Sequence, residues 1–191
     1  KNLRKDLTSP DKDALQYNLF ENATTVLKIK KDILPIKNLN QKIAYVKLGE
    51  DVNSAFVSTL KKYTEITEVS NTNVDSLNKQ LKKYDLVILS YHKVNKAWEK
   101  QEFTLTEMLW LKEIAKHNKV ILDIFTKPYS LLSIKDFDDI EGLVVSYQNS
   151  DISQVVSAEL LFGAIEAKGK LPVSINNAFH VNDGLTTEKL N

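Results

Sequence analysis

The sequence contains no cysteine, and only one of its basic residues, Arg4, is an arginine. The lack of cysteine excludes disulfides, thiol nucleophiles and zinc–thiolate sites. Arginine is the side chain best suited to clamp phosphate or carboxylate groups, so its scarcity argues against an anion-recognition surface. With 26 Lys and Arg against 25 Asp and Glu, the net charge is only +1. Such a balance gives no long-range field to attract nucleic acid or an anionic membrane.

Several functional motifs are also missing. No apolar run has the length of a membrane span, and the first residues do not begin a signal peptide. The chain lacks an initiator Met, so we expect a mature or excised segment. It has no Gly-x-Ser-x-Gly elbow for a serine nucleophile and no Walker-type phosphate loop. His92, His117 and His180 lack metal-ligand spacing, so we expect no metal and no cofactor.

Strand and helix patterns alternate along most of the chain. Short apolar runs predict strands at residues 24–27, 43–48, 65–69, 86–89, 120–125, 143–145 and 173–175. Apolar residues at helical spacing predict helices that begin near residues 10, 53, 73, 104 and 151. This order indicates parallel β-structure covered by helices on both faces. We therefore predict a three-layer α/β/α sandwich with a mostly parallel sheet, flavodoxin-like in appearance.

Two helices carry more specific expectations. Leu15, Leu19 and Phe20 are predicted to form the inward stripe of the first helix. Thr104 and Glu107 have the spacing of a capping box, which places a helix start at Thr104.

The turn after the strand at 43–48 could suggest nucleotide or phosphoryl chemistry. A dinucleotide site needs several glycines there, but the turn has Gly49 with two acids, Glu50 and Asp51, which would repel phosphate. A phosphoryl-accepting receiver needs a carboxylate after a middle strand, whereas the strand at 86–89 is followed by Ser90, Tyr91 and His92. We interpret the two acids as a solvated loop or a helix N-terminal charge pair. His92 is expected on a loop, in contact with a partner.

The segment between Tyr91 and Thr104 contains the candidate substrate-binding residues Trp98, Glu99 and Glu102. A Trp can stack on a sugar ring, and a nearby carboxylate can bind its hydroxyls or act as an acid. The alternative interpretation is an exposed charged loop, because lysines and glutamates surround Trp98. No residue is assigned a catalytic role from this pattern alone.

The motif order resembles the C-terminal α/β domain of family 3 glycoside hydrolases. Its most specific parts are Leu161-Phe162-Gly163 followed by Gly169-Lys170-Leu171-Pro172-Val173. The resemblance covers roughly residues 15–185, and weaker matches lie at 22–28, 33–36, 85–90, 119–122, 127–129, 143–147 and 153–154.

This resemblance implies a two-domain enzyme in which an N-terminal (β/α)8 barrel carries the aspartate nucleophile. A barrel takes about 250 residues, more than the whole chain, so the chain contains none. In the β-glucosidase branch the sandwich lends a general-acid Glu from a strand-end loop. The loop at 91–103 lacks the pattern of those enzymes, which favours the β-N-acetylhexosaminidase branch, where the acid comes from the barrel.

The resemblance therefore implies a non-catalytic domain of a retaining β-N-acetylglucosaminidase, inactive as a fragment. Two alternatives stay open: a sandwich that donates Glu99 or Glu102 to a β-glucosidase barrel, and a carbohydrate-binding or assembly module. We expect residues 1–14 to be a lead-in from the barrel, 15–179 the sandwich, and 180–191 a linker. The expected partners are the barrel, carbohydrate at the domain interface, and a downstream β-lactamase-like domain. Export to the periplasm or beyond is the implied location.

Overall fold

The computed structural model describes residues 10–94, 96, 98 and 101–190. The named strands are β1 (Thr25–Ile29), β2 (Ile43–Leu48), β3 (Ile66–Glu68), β4 (Leu86–His92), β5 (Val120–Phe125) and β6 (Gly142–Val145). The α-helices are α1 (Pro10–Ala23), α2 (Ser54–Tyr63), α3 (Val74–Leu81), α4 (Leu105–His117) and α5 (Asp151–Leu161). A 3₁₀ helix spans Pro128–Ser133.

The six strands form one sheet in the order β1-β6-β5-β4-β2-β3. All neighbouring pairs are parallel except β1 and β6, which are antiparallel. Residues of α3 and α4 pack in one core cluster, whereas residues of α2 and α5 pack in the other. The alternation of side chains along each strand supplies both clusters. The predicted three-layer α/β/α sandwich is therefore confirmed.

The central strands are buried along their whole length, which explains why they are apolar runs and not alternating patterns. All seven residues of β4 and all six of β5 are buried. Strands covered by helices on both faces need apolar side chains on both faces. Such runs were the strongest strand signals in the sequence.

Local capping signals also agree with the structure. The hydroxyl of Thr104 accepts a hydrogen bond from the N–H of Glu107, whose carboxylate accepts one from the N–H of Thr104. Asn73 caps α3 by accepting from the N–H of Ser76, and Ser150 caps α5. These bonds satisfy N–H groups that have no partner within the helix.

Two local predictions are wrong. Of the predicted stripe only Phe20 packs inward, together with Tyr17, whereas Leu15 and Leu19 are 59% and 60% exposed. Helical spacing alone could not decide which apolar side chains of α1 meet α5. Residues 173–175 do not form a strand either, because only Ile175 makes a β-bridge, to Phe179.

The Gly-Lys-Leu-Pro motif serves a packing role. A side chain at Gly169 would place its Cβ 2.3 Å from the carbonyl oxygen of Ala23, so only glycine allows this approach. Leu171 is fully buried, and its N–H donates to the carbonyl of Asp183. The motif thereby attaches the end of the chain to the beginning of the sheet.

The described part of the predicted linker, residues 180–190, lies against the edge of the sheet that β1 forms. The N–H of Leu185 donates to the carbonyl of Val26 in β1, and the hydroxyl of Thr187 accepts from the N–H of Ala167. The predicted boundary at residue 15 falls inside α1. No helix among the described residues is long and apolar enough to cross a membrane.

Candidate functional site

The connections at the carboxyl ends of β2, β4 and β6 form the candidate site. The chain moves outward from β2 to β3 and then returns to the other side of β2 to form β4. The connection after β2 therefore runs to one side of the sheet and the connection after β4 to the other, which makes the carboxyl edge between them a topological switch point. Crevices at such points are the usual ligand positions in open parallel sheets.

A hydrogen-bonded network of side chains lies at this switch point. His92, the last residue of β4, contacts Ser90 through Nε2 at 2.8 Å and Asn149 through Nδ1 at 2.9 Å. The hydroxyl of Tyr45 lies 2.6 Å from Ser90 Oγ and accepts a hydrogen bond from Asn53 at 2.7 Å. The network joins β2, β4 and the turn after β6 into one unit.

The direction of each hydrogen bond follows from Asp51, the carboxylate at the end of the network, which accepts from Asn149. The amide nitrogen of Asn149 donates to Asp51 Oδ2 and to the carbonyl of Val52, both at 2.8 Å. The amide oxygen of Asn149 must then face His92, so His92 Nδ1 donates to it. A neutral imidazole has one donor, so His92 Nε2 accepts from Ser90. The network is thus complete with an uncharged His92.

Burial favours the same protonation state. His92 has no exposed surface, and burial lowers its pKa to about 4, since the imidazolium would lose its hydration. The hydrogen bond from His92 to Asn149 opposes this effect without overcoming it. His92 is thus a neutral, internally bonded group near neutral pH. The prediction of His92 on a loop is wrong, because it is the last residue of β4, and its burial leaves no surface for the predicted partner contact.

The two acids of the β2 connection are also engaged. Glu50 forms an ion pair with Lys93 at 2.6 Å, and Asp51 accepts from Asn149. Gly49 has φ = 82°, and a Cβ there would lie 2.1 Å from the carbonyl oxygen of His92. The glycine is therefore required by the close approach of β4, and the acids hold the loop in place; they are not simply solvated.

A second buried polar cluster lies deeper in the sheet. Asp123, in β5, accepts hydrogen bonds from the hydroxyls of Ser146 and Ser157. Burial raises the pKa of Asp123 to about 7, although these bonds and the N–H of Ile124 favour the ionised form. The carboxyl is fully buried, so it has no direct access to a ligand.

The predicted substrate-binding residues lie on the connection from β4 to α4. The Trp98 side chain is 99% exposed, and Glu102 is exposed with its backbone carbonyl accepting from the Tyr91 hydroxyl at 2.8 Å. Glu99 lies outside the described residues. The structure thus places Trp98 and Glu102 at the carboxyl edge, where a ligand or partner could reach them. It does not enclose either one in a pocket, among the pockets found in the described residues.

Sequence reasoning missed the network around His92. Ser90 and His92 are two residues apart and so share one face of a strand, which was a readable signal. Tyr45 and Asn149 carried no such signal, because their contacts depend on strand order and on the turn after β6. Within the described residues, no group of three or more His, Asp or Glu is arranged to hold a metal ion.

Comparisons with solved structures find parts of larger enzymes with this fold. A fungal multi-domain family 3 β-N-acetylglucosaminidase with a GCN5-related glucosamine N-acetyltransferase region matches 97% of the chain, with TM-score 0.72 and 20% identity. A family 3 β-N-acetylglucosaminidase from Paenibacillus sp. str. FPU-7 matches 88%, with TM-score 0.71 and 13% identity. A β-glucosidase from Listeria innocua matches 92%, with TM-score 0.73 and 16% identity.

The chain spans only part of these proteins: 21% of the fungal enzyme, 34% of the Paenibacillus enzyme and 28% of the Listeria enzyme. At these identities the likeness shows a shared fold and no more. No protein-family model matches the sequence, and no curated protein sequence matches it. The resemblance drawn from the motifs is thereby confirmed at the level of the fold.

Proposed function

We propose that the chain is the C-terminal α/β sandwich domain of a family 3 glycoside hydrolase. The parent would be a retaining β-N-acetylglucosaminidase that hydrolyses O-glycosyl bonds, and this domain would carry no catalytic residue. The shared fold supports the family, and two of the matched proteins are β-N-acetylglucosaminidases. The division into lead-in, sandwich and linker, and a β-lactamase-like domain downstream, remain parts of this proposal.

The observation that carries the non-catalytic role is the engagement of polar groups at the carboxyl edge. A retaining glycosidase needs two carboxyl groups about 5–5.5 Å apart around one glycosidic bond. Three described acids of this edge are engaged: Glu50 pairs with Lys93, Asp51 bonds to Asn149, and Glu107 caps α4. The side chain of a fourth, Glu102, is exposed. His92 is buried and bonded on both ring nitrogens. These hydrogen bonds and ion pairs hold the edge in place, and the groups that form them are not free to react with a substrate.

An exposed apolar patch on this edge supports contact with a barrel domain. Trp98 lies after β4, Leu105 and Leu109 on the first turns of α4, and Tyr129 on the 3₁₀ helix after β5. Trp98 is 99% exposed, Leu105 86% and Leu109 62%. Exposed apolar side chains of this size are typical of interaction surfaces when they form one contiguous patch. We propose that the barrel covers this patch and that carbohydrate binds at the resulting interface.

The direct test is to assay this chain and the proposed longer enzyme in parallel on aryl N-acetylglucosaminides and aryl glucosides. We expect no turnover by the chain alone and N-acetylglucosaminidase activity in the longer protein. Turnover by the chain above that of a heat-denatured sample would contradict the non-catalytic role. Cleavage of glucosides alone by the longer protein would contradict the proposed branch.

The rival function is donation of a general acid to a β-glucosidase barrel. The exposed side chain of Glu102 at the carboxyl edge favours it, and Glu99 is the second candidate. In the longer enzyme, Glu102→Gln and Glu99→Gln should each leave kcat within about two-fold of wild type if neither residue is the acid. Glu113→Gln on α4 is the matched control. A loss of about 100-fold or more, restored by azide, would establish the rival.

A further inference from the structure

We propose that the open groove between α1 and α5 binds a neutral saccharide. The groove has a volume of about 580 Å³, within the range of roughly 300–1,000 Å³ typical of small-molecule sites. It opens beside the turn that joins β6 to α5, near the carboxyl edge. Its lining residues are Asp13, Gln16, Tyr17, Phe20, Gln148, Ser150, Asp151, Ile152 and Val155.

The floor of the groove is apolar and includes two aromatic rings. Phe20 and Tyr17 from α1 are half-buried, as are Ile152 and Val155 from α5. The Tyr17 hydroxyl donates a hydrogen bond to Glu159 on α5, which fixes the position of the ring before any ligand arrives. An aromatic ring held in this way presents a flat apolar face at low entropic cost. The C–H face of a sugar ring is complementary to such a floor.

The rim of the groove offers the polar groups that sugar hydroxyls need. The amides of Gln16 and Gln148 can donate and accept, and the Asp13 carboxylate accepts. Gln148 and Asp13 are exposed, so ligand hydroxyls can reach them. An apolar floor with several convergent hydrogen-bonding groups is the common composition of ligand sites.

The charges of the groove argue against an anionic ligand. No Lys, Arg or His is among the described lining residues, although the chain has 26 Lys and Arg. Asp151 lies in the first turn of α5, where the helix dipole offsets part of its negative charge. A neutral ligand with many hydroxyl donors therefore fits this rim better than a phosphate or a carboxylate does.

Two other surface features, the exposed Trp98 and the groove between α4 and the 3₁₀ helix, fit a saccharide less well. Trp98 is almost fully exposed and lines none of the described pockets. The groove between α4 and the 3₁₀ helix includes Lys112 and Lys135 and has no aromatic side chain. The pocket that contains Asn40, Gln41 and Tyr84 also joins amides to an aromatic ring, but Lys42 and Lys83 line it as well. Among the pockets described, the α1–α5 groove has two aromatic rings and no cationic side chain.

This inference does not depend on the proposed function, because it uses only the groove of the chain itself. The test is a titration of the ¹⁵N-labelled chain with chitotriose and, separately, with cellotriose, each up to about 20 mM. We expect chemical shift changes at the backbone amides of Gln16, Gln148 and Ser150. Gln16→Ala and Gln148→Ala should each weaken binding about three- to ten-fold, the usual effect of one lost hydrogen bond. Asn18→Ala, an amide on α1 outside the groove, is the matched control.

Three results would overturn the proposal. The first is the absence of shift changes at these amides for both sugars. The second is a set of changes centred on the Trp98 loop, which would place the site elsewhere. The third is tighter binding of the cationic glucosamine trimer that disappears near 0.5 M NaCl, the behaviour of a simple acidic patch. None of these results bears on whether the longer protein is a glycosidase.

Discussion

Two buried groups, Asp123 and His92, should oppose one another in the pH dependence of stability. The pKa of Asp123 is 3.8 as a free side chain and about 7 in the fold, a difference worth about 4 kcal/mol. Between these values the folded protein keeps a proton that the unfolded chain releases. The free energy of unfolding therefore falls as the pH rises from about 4 to 7.

His92 acts in the opposite direction. Its pKa falls from 6.5 to about 4 on folding, a difference worth about 3 kcal/mol. Between these two pKa values the unfolded chain binds a proton that the folded protein does not bind. The free energy of unfolding therefore rises with pH. In the wild-type protein the two effects nearly cancel between about pH 4 and 6.5.

Single substitutions should expose each effect. In Asp123→Asn only the pKa of His92 still changes on folding in this pH range. The free energy of unfolding of this variant, relative to wild type, should therefore rise by about 4 kcal/mol from pH 4 to pH 7. In His92→Gln only the pKa of Asp123 still changes on folding. The free energy of unfolding of this variant, relative to wild type, should therefore fall by about 3 kcal/mol from pH 4 to pH 6.5. The double variant should return to the wild-type slope within about 1 kcal/mol.

The measurement is urea unfolding of the four proteins at about pH 4, 5, 6 and 7, followed by circular dichroism. Other carboxyl groups are common to all four proteins, so only differences from wild type are compared. Parallel profiles for wild type and Asp123→Asn would refute the reasoning, because they would mean that the Asp123 carboxyl keeps its ordinary pKa in the fold.

Three further substitutions test other parts of the structure. Gly49→Ala should lower the free energy of unfolding by about 2 kcal/mol or more, because φ is positive and the new Cβ meets the carbonyl of His92; an unchanged urea midpoint would contradict this contact. Thr104→Ala should cost about 1 kcal/mol by removing the cap that bonds to Glu107, with Thr106→Ala as the control in the same urea experiment. Trp98→Ala should change thermal stability by less than about 0.5 kcal/mol, since the ring is 99% exposed; a larger loss would show that Trp98 packs within this chain.

Much of the fold could be predicted because its signals are local. The apolar runs of β4 and β5 and the capping box at Thr104 depend on neighbours along the chain. The orientation of α1 could not be predicted in this way. Leu15 and Leu19 have the spacing of a buried stripe, yet the helix rotates Tyr17 and Phe20 toward α5.

The candidate site was predicted only in part. Trp98 and Glu102 follow β4, as the position of the loop in the sequence predicted, while their role in substrate binding stays a prediction. The groove between α1 and α5 was not foreseen. It joins residues more than 120 positions apart, and no pattern in either segment refers to the other.

The sequence by itself determined the class of fold, since alternating buried strands and capped helices are written in short segments. Only the tertiary structure decided which polar residues meet. His92 reaches Asn149 across 57 positions, and Asp123 reaches Ser157 across 34. The spacing of polar residues along the sequence does not indicate which of them will be in contact. The protonation state of a buried polar side chain depends on how far the packed helices and sheet exclude water.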